Sequence, residues 1–95
     1  MIPNSRVPAH PGEVLQEEFL QPIGISTHAL AGHIGVADGS IAALINGEEC
    51  ITPHTAWLLG MATGTGPELW MNLQANYDLA RARPRTELSR LGAGR

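Results

Sequence analysis

Apolar residues recur at helical spacing through most of the chain, and turn residues cut the pattern into five segments. The first, HPGEVLQEEFLQP, sets Val14, Leu15 and Phe19 on one face. Pro11 suits the first helical position, where a missing N–H costs nothing. Glu13, Glu17 and Glu18 lie in the early turns, with Glu13 nearest the positive end of the helix dipole. Pro22 and Gly24 are expected to close this helix. In the second, STHALAGHIG, Ser26 is a good N-cap, Leu30, Ala31 and Ile34 share a face, and Gly35 fits the left-handed position after the last turn.

The third helix is expected from Ala37 or Asp38 to Ile45, with Val36, Ile41, Leu44 and Ile45 turned inward and Asn46-Gly47 as its stop. The fourth opens on Thr52 as cap and Pro53 at the first helical position, and Ala56, Leu59 and Ala62 repeat on a face expected to be buried. The fifth, GPELWMNLQANYDLARAR, again opens on proline, Pro67, with Leu69, Trp70, Leu73, Tyr77 and Leu79 as its apolar contacts and Pro84 as its end. No strand-like alternation, internal repeat or low-complexity run stands out. The pattern predicts an all-α domain over residues 10–83, an extended arm over 1–9 and a mobile Arg-rich tail over 84–95.

Length and composition agree with one small domain of 95 residues, and at 4% aromatic content aliphatic side chains must carry the core. Cys50 is the single cysteine, so no internal disulfide forms, and a buried or half-buried thiol is expected. No apolar run reaches membrane-spanning length and no signal-peptide pattern is present, from which a soluble, cytoplasmic protein is expected.

Charge changes the picture more. The net charge is −3, and no Lys or Arg occurs between residues 7 and 80. That body carries Glu13, Glu17, Glu18, Asp38, Glu48, Glu49, Glu68 and Asp78, whereas Arg81, Arg83, Arg85, Arg90 and Arg95 are gathered at the end and Arg6 at the start. DNA-binding domains usually show the opposite balance, because phosphate neutralisation supplies most of the non-specific affinity.

The middle of the chain nevertheless carries a helix-turn-helix pattern. Ala31 stands four residues before Gly35, and Ile41 six after it. Two helices crossing steeply through a short turn need a small residue where the backbones approach, a glycine in the turn and a branched apolar residue in the wedge. Val36 plugs the turn. The same pattern fits an ordinary helical bundle, so it speaks for geometry and not for function.

Other candidate chemistry is thin. His28 and His33 are five apart and diverge on a helix, His10 and His54 stand beside prolines at helix starts, and no metal ligand set is expected. Scattered serines and adjacent carboxylates offer no nucleophile and no acid–base pair, so neither an enzyme nor a cofactor is expected. Trp57 and Trp70 fit either core or interface; Trp70 is expected in the core against the fourth helix, and Trp57, toward the start of the fourth helix, is a candidate for a dimer contact.

Taken together, HPGEVLQEEFL, ALAGHIGV and INGEECITPHTAWLLGMATGTGPELWMNLQANYDL resemble the HigA (VapI-like) family of toxin–antitoxin antitoxins over about residues 6–80. His10-Pro11-Gly12-Glu13, Asn46-Gly47, Ile51-Thr52, Trp70-x-Asn72-Leu73-Gln74 and Tyr77-Asp78-Leu79 carry the resemblance. It implies a five-helix lambda-repressor-like (Xre-type) helix-turn-helix domain, a homodimer, direct neutralisation of a small basic HigB/RelE-like ribonuclease toxin, and dimeric binding to the operator of its own promoter. Asp38, Gly39, Ser40 and Ala43 then fall on base edges, and Thr27 and His28 at the phosphate backbone.

The chain departs from that family at the reading positions. Residues 37–40 are Ala-Asp-Gly-Ser where members usually present arginine, and Glu48-Glu49 follow Asn46-Gly47 where a basic residue is usual. A repressor without a toxin, and an interaction module that has lost DNA binding, are the rival readings.

Overall fold

The computed structural model describes residues 8–92. Among them every regular element is helical, in the five segments that the pattern predicts. Helix α1 runs unbroken through Pro11–Val14, a π-helical stretch Leu15–Leu20, and Gln21–Ile23. Helix α2 is Thr27–Ile34, α3 is Asp38–Ile45, α4 is Pro53–Thr63 and α5 is Pro67–Arg81.

Local chemistry sets most of these boundaries. His10 caps α1 by accepting the Gly12 N–H on Nδ1 at 2.9 Å. Ser26 caps α2 through Ala29 N–H at 3.0 Å, and Thr52 caps α4 through Thr55 N–H at 3.2 Å. Gly35, at φ 79°, closes α2 in the left-handed conformation that side chains avoid.

Pro22 does not end α1. The helix carries through it to Ile23 and stops at Gly24, where φ is 71°. Proline has no N–H for the carbonyl four residues back and its ring crowds that carbonyl. The turn before it is widened instead, with Gln21 N–H bonded to the Gln16 carbonyl five residues back, as in a π-bulge.

The core is Leu15, Leu20, Leu30, Ala31, Ile41, Leu44, Ile51, Ala56, Leu59 and Trp70. Burying each large member is worth about 1.5–3 kcal/mol before the entropy of ordering it is counted. Trp70 is fully buried, tilted against Phe19 at 5.5 Å between ring centres, and its indole N–H is donated to the Thr65 hydroxyl at 3.1 Å.

Two glycines are set by close approach. A Cβ on Gly12 would overlap the Leu44 carbonyl, so α1 crosses α3 backbone to backbone. A Cβ on Gly60 would overlap Gly66 and the Pro67 nitrogen, where α4 turns back against α5. Gln74, buried in α5, accepts the Ile51 N–H at 2.6 Å and donates to Asp78 at 3.0 Å, and so ties the segment before α4 to α5.

Three expected positions differ. Ala62 is exposed, because six residues of helix rotate it about 120° away from Ala56; Gly60 shares the buried face with Ala56 and Leu59 instead. Leu79 is 71% exposed, since nine residues carry it about half a turn round from Trp70. Cys50 is exposed, in the loop between α3 and α4, where no helix covers it. Of the arm expected over 1–9, residues 1–7 lie outside the described residues, as do 93–95 of the tail. The tail residues 84–92 are exposed and carry no helix.

Candidate nucleic-acid interface

Helices α2 and α3 meet through the Gly35 turn. The Gly35 and Val36 N–H groups both bond to the Ala31 carbonyl, at 2.9 and 3.0 Å. Ala31 is fully buried at the crossing, Ile41 fills the wedge and Val36 is half-buried beside it. This geometry presents the first turns of both helices on the surface.

The exposed candidate side chains there are His28 and Asp38, with Gly39 offering only exposed backbone and Thr27 half-buried. His28 and Asp38 are brought together: Nδ1 of His28 lies 2.9 Å from Asp38 Oδ2, and the side chains keep 80% and 66% of their surface. Ser40 and Ala43 are half-buried. Ser40 lines a small cleft with Ile34, Glu49, Cys50 and Thr55, on the side of α3 that faces the α4 approach. Ala42, one turn on from Asp38, is exposed and completes the outward stripe.

Asp38 at the first position of α3 suits the positive end of the helix dipole. Ala37 precedes it with no side-chain cap, so the first N–H groups of α3 are not taken up by a capping side chain. N–H groups at such a helix start donate readily to a phosphate oxygen. No Lys or Arg stands on either helix; the described arginines are Arg81, Arg83, Arg85 and Arg90, at the end of α5 and beyond it. Arg81 is held against Tyr77, its guanidinium 5.3 Å from the ring centre and 2.9 Å from the hydroxyl. Tyr77 in turn packs edge-on to His10 at 4.8 Å.

The pairing of His28 with Asp38 is not readable from either residue alone. The available signal is that both occupy first-turn positions of helices joined by a tight turn. Among the described residues no three His, Cys, Asp or Glu side chains gather as a metal site, and no helix is long and apolar enough to cross a membrane.

No family model matches the chain. Individual relatives do. It is 42% identical over 79 residues to antitoxin HigA-1 of Vibrio cholerae serotype O1, covering 83% of this chain and 74% of that one. It is 41% identical over 73 residues to virulence-associated protein I of Dichelobacter nodosus, covering 77% and 68%. Among solved structures, the Pseudomonas aeruginosa antitoxin HigA with the higBA promoter superposes with a TM-score of 0.77 at 39% identity, over 79% of this chain and 82% of that one.

Proposed function

The chain belongs to the HigA family of helix-turn-helix antitoxins, and on that premise we propose that it is the antitoxin of a type II, HigBA-like module. It binds and neutralises a small basic ribonuclease toxin and, as a homodimer, binds the operator of its own promoter to repress it. Thr27, His28, Asp38, Gly39, Ser40 and Ala43 are the proposed DNA-facing positions, with Ala42 beside them.

The observation that carries the DNA half is the α2–α3 turn. It sets two helix starts side by side, and the relative from Pseudomonas aeruginosa was solved with the higBA promoter. On this reading Asp38, Gly39, Ser40 and Ala43 are the positions offered to base edges, as at the start of a recognition helix. Asp38 can accept from a cytosine amino group, and Ser40 can donate or accept.

Charge supports the toxin half. A body without Lys or Arg from residue 7 to 80 complements a basic RNA-cleaving partner, which speeds encounter and fixes orientation. Neutralisation of this kind needs surface burial and no catalytic group in the antitoxin.

The test mixes the purified chain with the product of the adjacent reading frame, expected to be a small basic toxin. Co-elution and suppressed RNA cleavage are expected. Separate elution with cleavage unimpaired overturns the antitoxin reading. A promoter duplex that does not shift at low salt, with or without the toxin, overturns the operator reading.

A further inference from the structure

An exposed polar contact of this kind, even when charged, adds little to stability, so the His28–Asp38 contact matters chiefly for what docks on that surface. Nδ1 of His28 is committed to the Asp38 carboxylate at 2.9 Å, and Nε2 is the ring nitrogen left on a side chain that keeps 80% of its surface. A neutral imidazole carries one N–H and one lone pair. With the proton on Nδ1, a lone pair faces an incoming phosphate; with it on Nε2, a lone pair faces Asp38. Only the imidazolium offers an N–H to both anions.

We propose that His28 and Asp38 form one DNA-contacting unit that takes up a proton on binding: doubly protonated His28 holds Asp38 through Nδ1 and donates Nε2–H to a backbone phosphate. This rests on the operator reading above. The imidazolium also offsets the carboxylate that would otherwise repel DNA from the tip of α3. Histidine changes charge between about pH 5 and 8, so affinity rises as pH falls through that range.

The other titratable groups nearby do not share this position. His33 lies in the last turn of α2 and lines a cleft with Phe19 and Ile23. His54 opens α4, which packs on α2; Glu13 is on α1, which packs on α3; Glu48 and Glu49 follow α3. Among the described residues His28–Asp38 is the one contact within 4.0 Å between a basic and an acidic side chain.

The test measures fluorescence anisotropy of the full chain on a labelled duplex of its own promoter, at fixed ionic strength, between pH 6 and 8. Uptake of one proton steepens binding by up to about tenfold per pH unit, and at least about fivefold tightening from pH 8 to 6 is expected. His28→Gln flattens the profile and keeps the helical circular dichroism of the wild type. His33→Gln and His54→Gln retain the slope. Asp38→Asn, whose amide can donate to Nδ1, lets a neutral ring offer Nε2–H and binds at pH 8 as the wild type does at pH 6. Binding that is flat with pH, or a slope that survives His28→Gln, overturns this proposal and leaves the operator reading standing. No binding at any pH, with or without the toxin, overturns both.

Discussion

Gln74 accepts the backbone N–H of Ile51 at 2.6 Å, across 23 residues of chain. This one bond joins α5 to the segment that leads into α4, at a point where both groups are buried. Gln74→Leu keeps the bulk and leaves the Ile51 N–H without a partner. A loss of about 1–3 kcal/mol is expected, read as a lower urea midpoint with an unchanged m-value.

Gly12 and Gly32 separate two meanings of glycine in a helix. Gly12→Ala drives a methyl into the Leu44 carbonyl, whereas a Cβ on Gly32 meets nothing within 4 Å. Gly12→Ala is expected to lower stability by about 1–3 kcal/mol through overpacking. Gly32→Ala is expected to raise it by up to about 1 kcal/mol through helix propensity. Thermal melts followed by circular dichroism distinguish the two, and equal effects would refute the close α1–α3 crossing.

His10 is a cap with a ring. His10→Ala removes the acceptor of Gly12 N–H and the edge-on partner of Tyr77. A cost of about 1 kcal/mol is expected for the cap. His10→Asn restores the acceptor without the ring and is expected to recover most of it in chemical denaturation.

On the operator reading, the salt dependence of binding tests whether the tail arginines reach DNA. Each phosphate neutralised contributes about 0.9 to the slope of log K against log salt. Deleting residues 84–95 removes Arg85, Arg90 and Arg95, and the slope is expected to flatten. An unchanged slope removes the tail from the DNA contact.

The elements were legible in the sequence where their causes are local. Ser26, Gly35, Thr52, Pro53 and Pro67 each act within a few residues, and the structure places each in the capping or opening role its chemistry suggests. Burial by periodicity held for Trp70, Ile41 and Leu59, and failed for Ala62 and Leu79, where counting steps of three or following apolar identity ran off the packed face. What escaped notice is long-range or depends on exact geometry. Gln74 reads as a polar surface residue until Ile51 is placed against it. The widened turn of α1 answers a proline that otherwise reads as a stop. At the candidate site the turn was legible from Ala31, Gly35 and Ile41; the contact between His28 and Asp38 needed the two helix starts in space.

The two tryptophans stand in opposite surroundings, Trp70 wholly enclosed and Trp57 58% exposed. The protein therefore carries two fluorophores that answer different questions. Trp57→Phe leaves an emission governed by the core alone, a native monitor of unfolding. Trp70→Phe leaves a reporter that acrylamide quenches freely until something covers α4, so docking of a second copy or a toxin can be followed without a label.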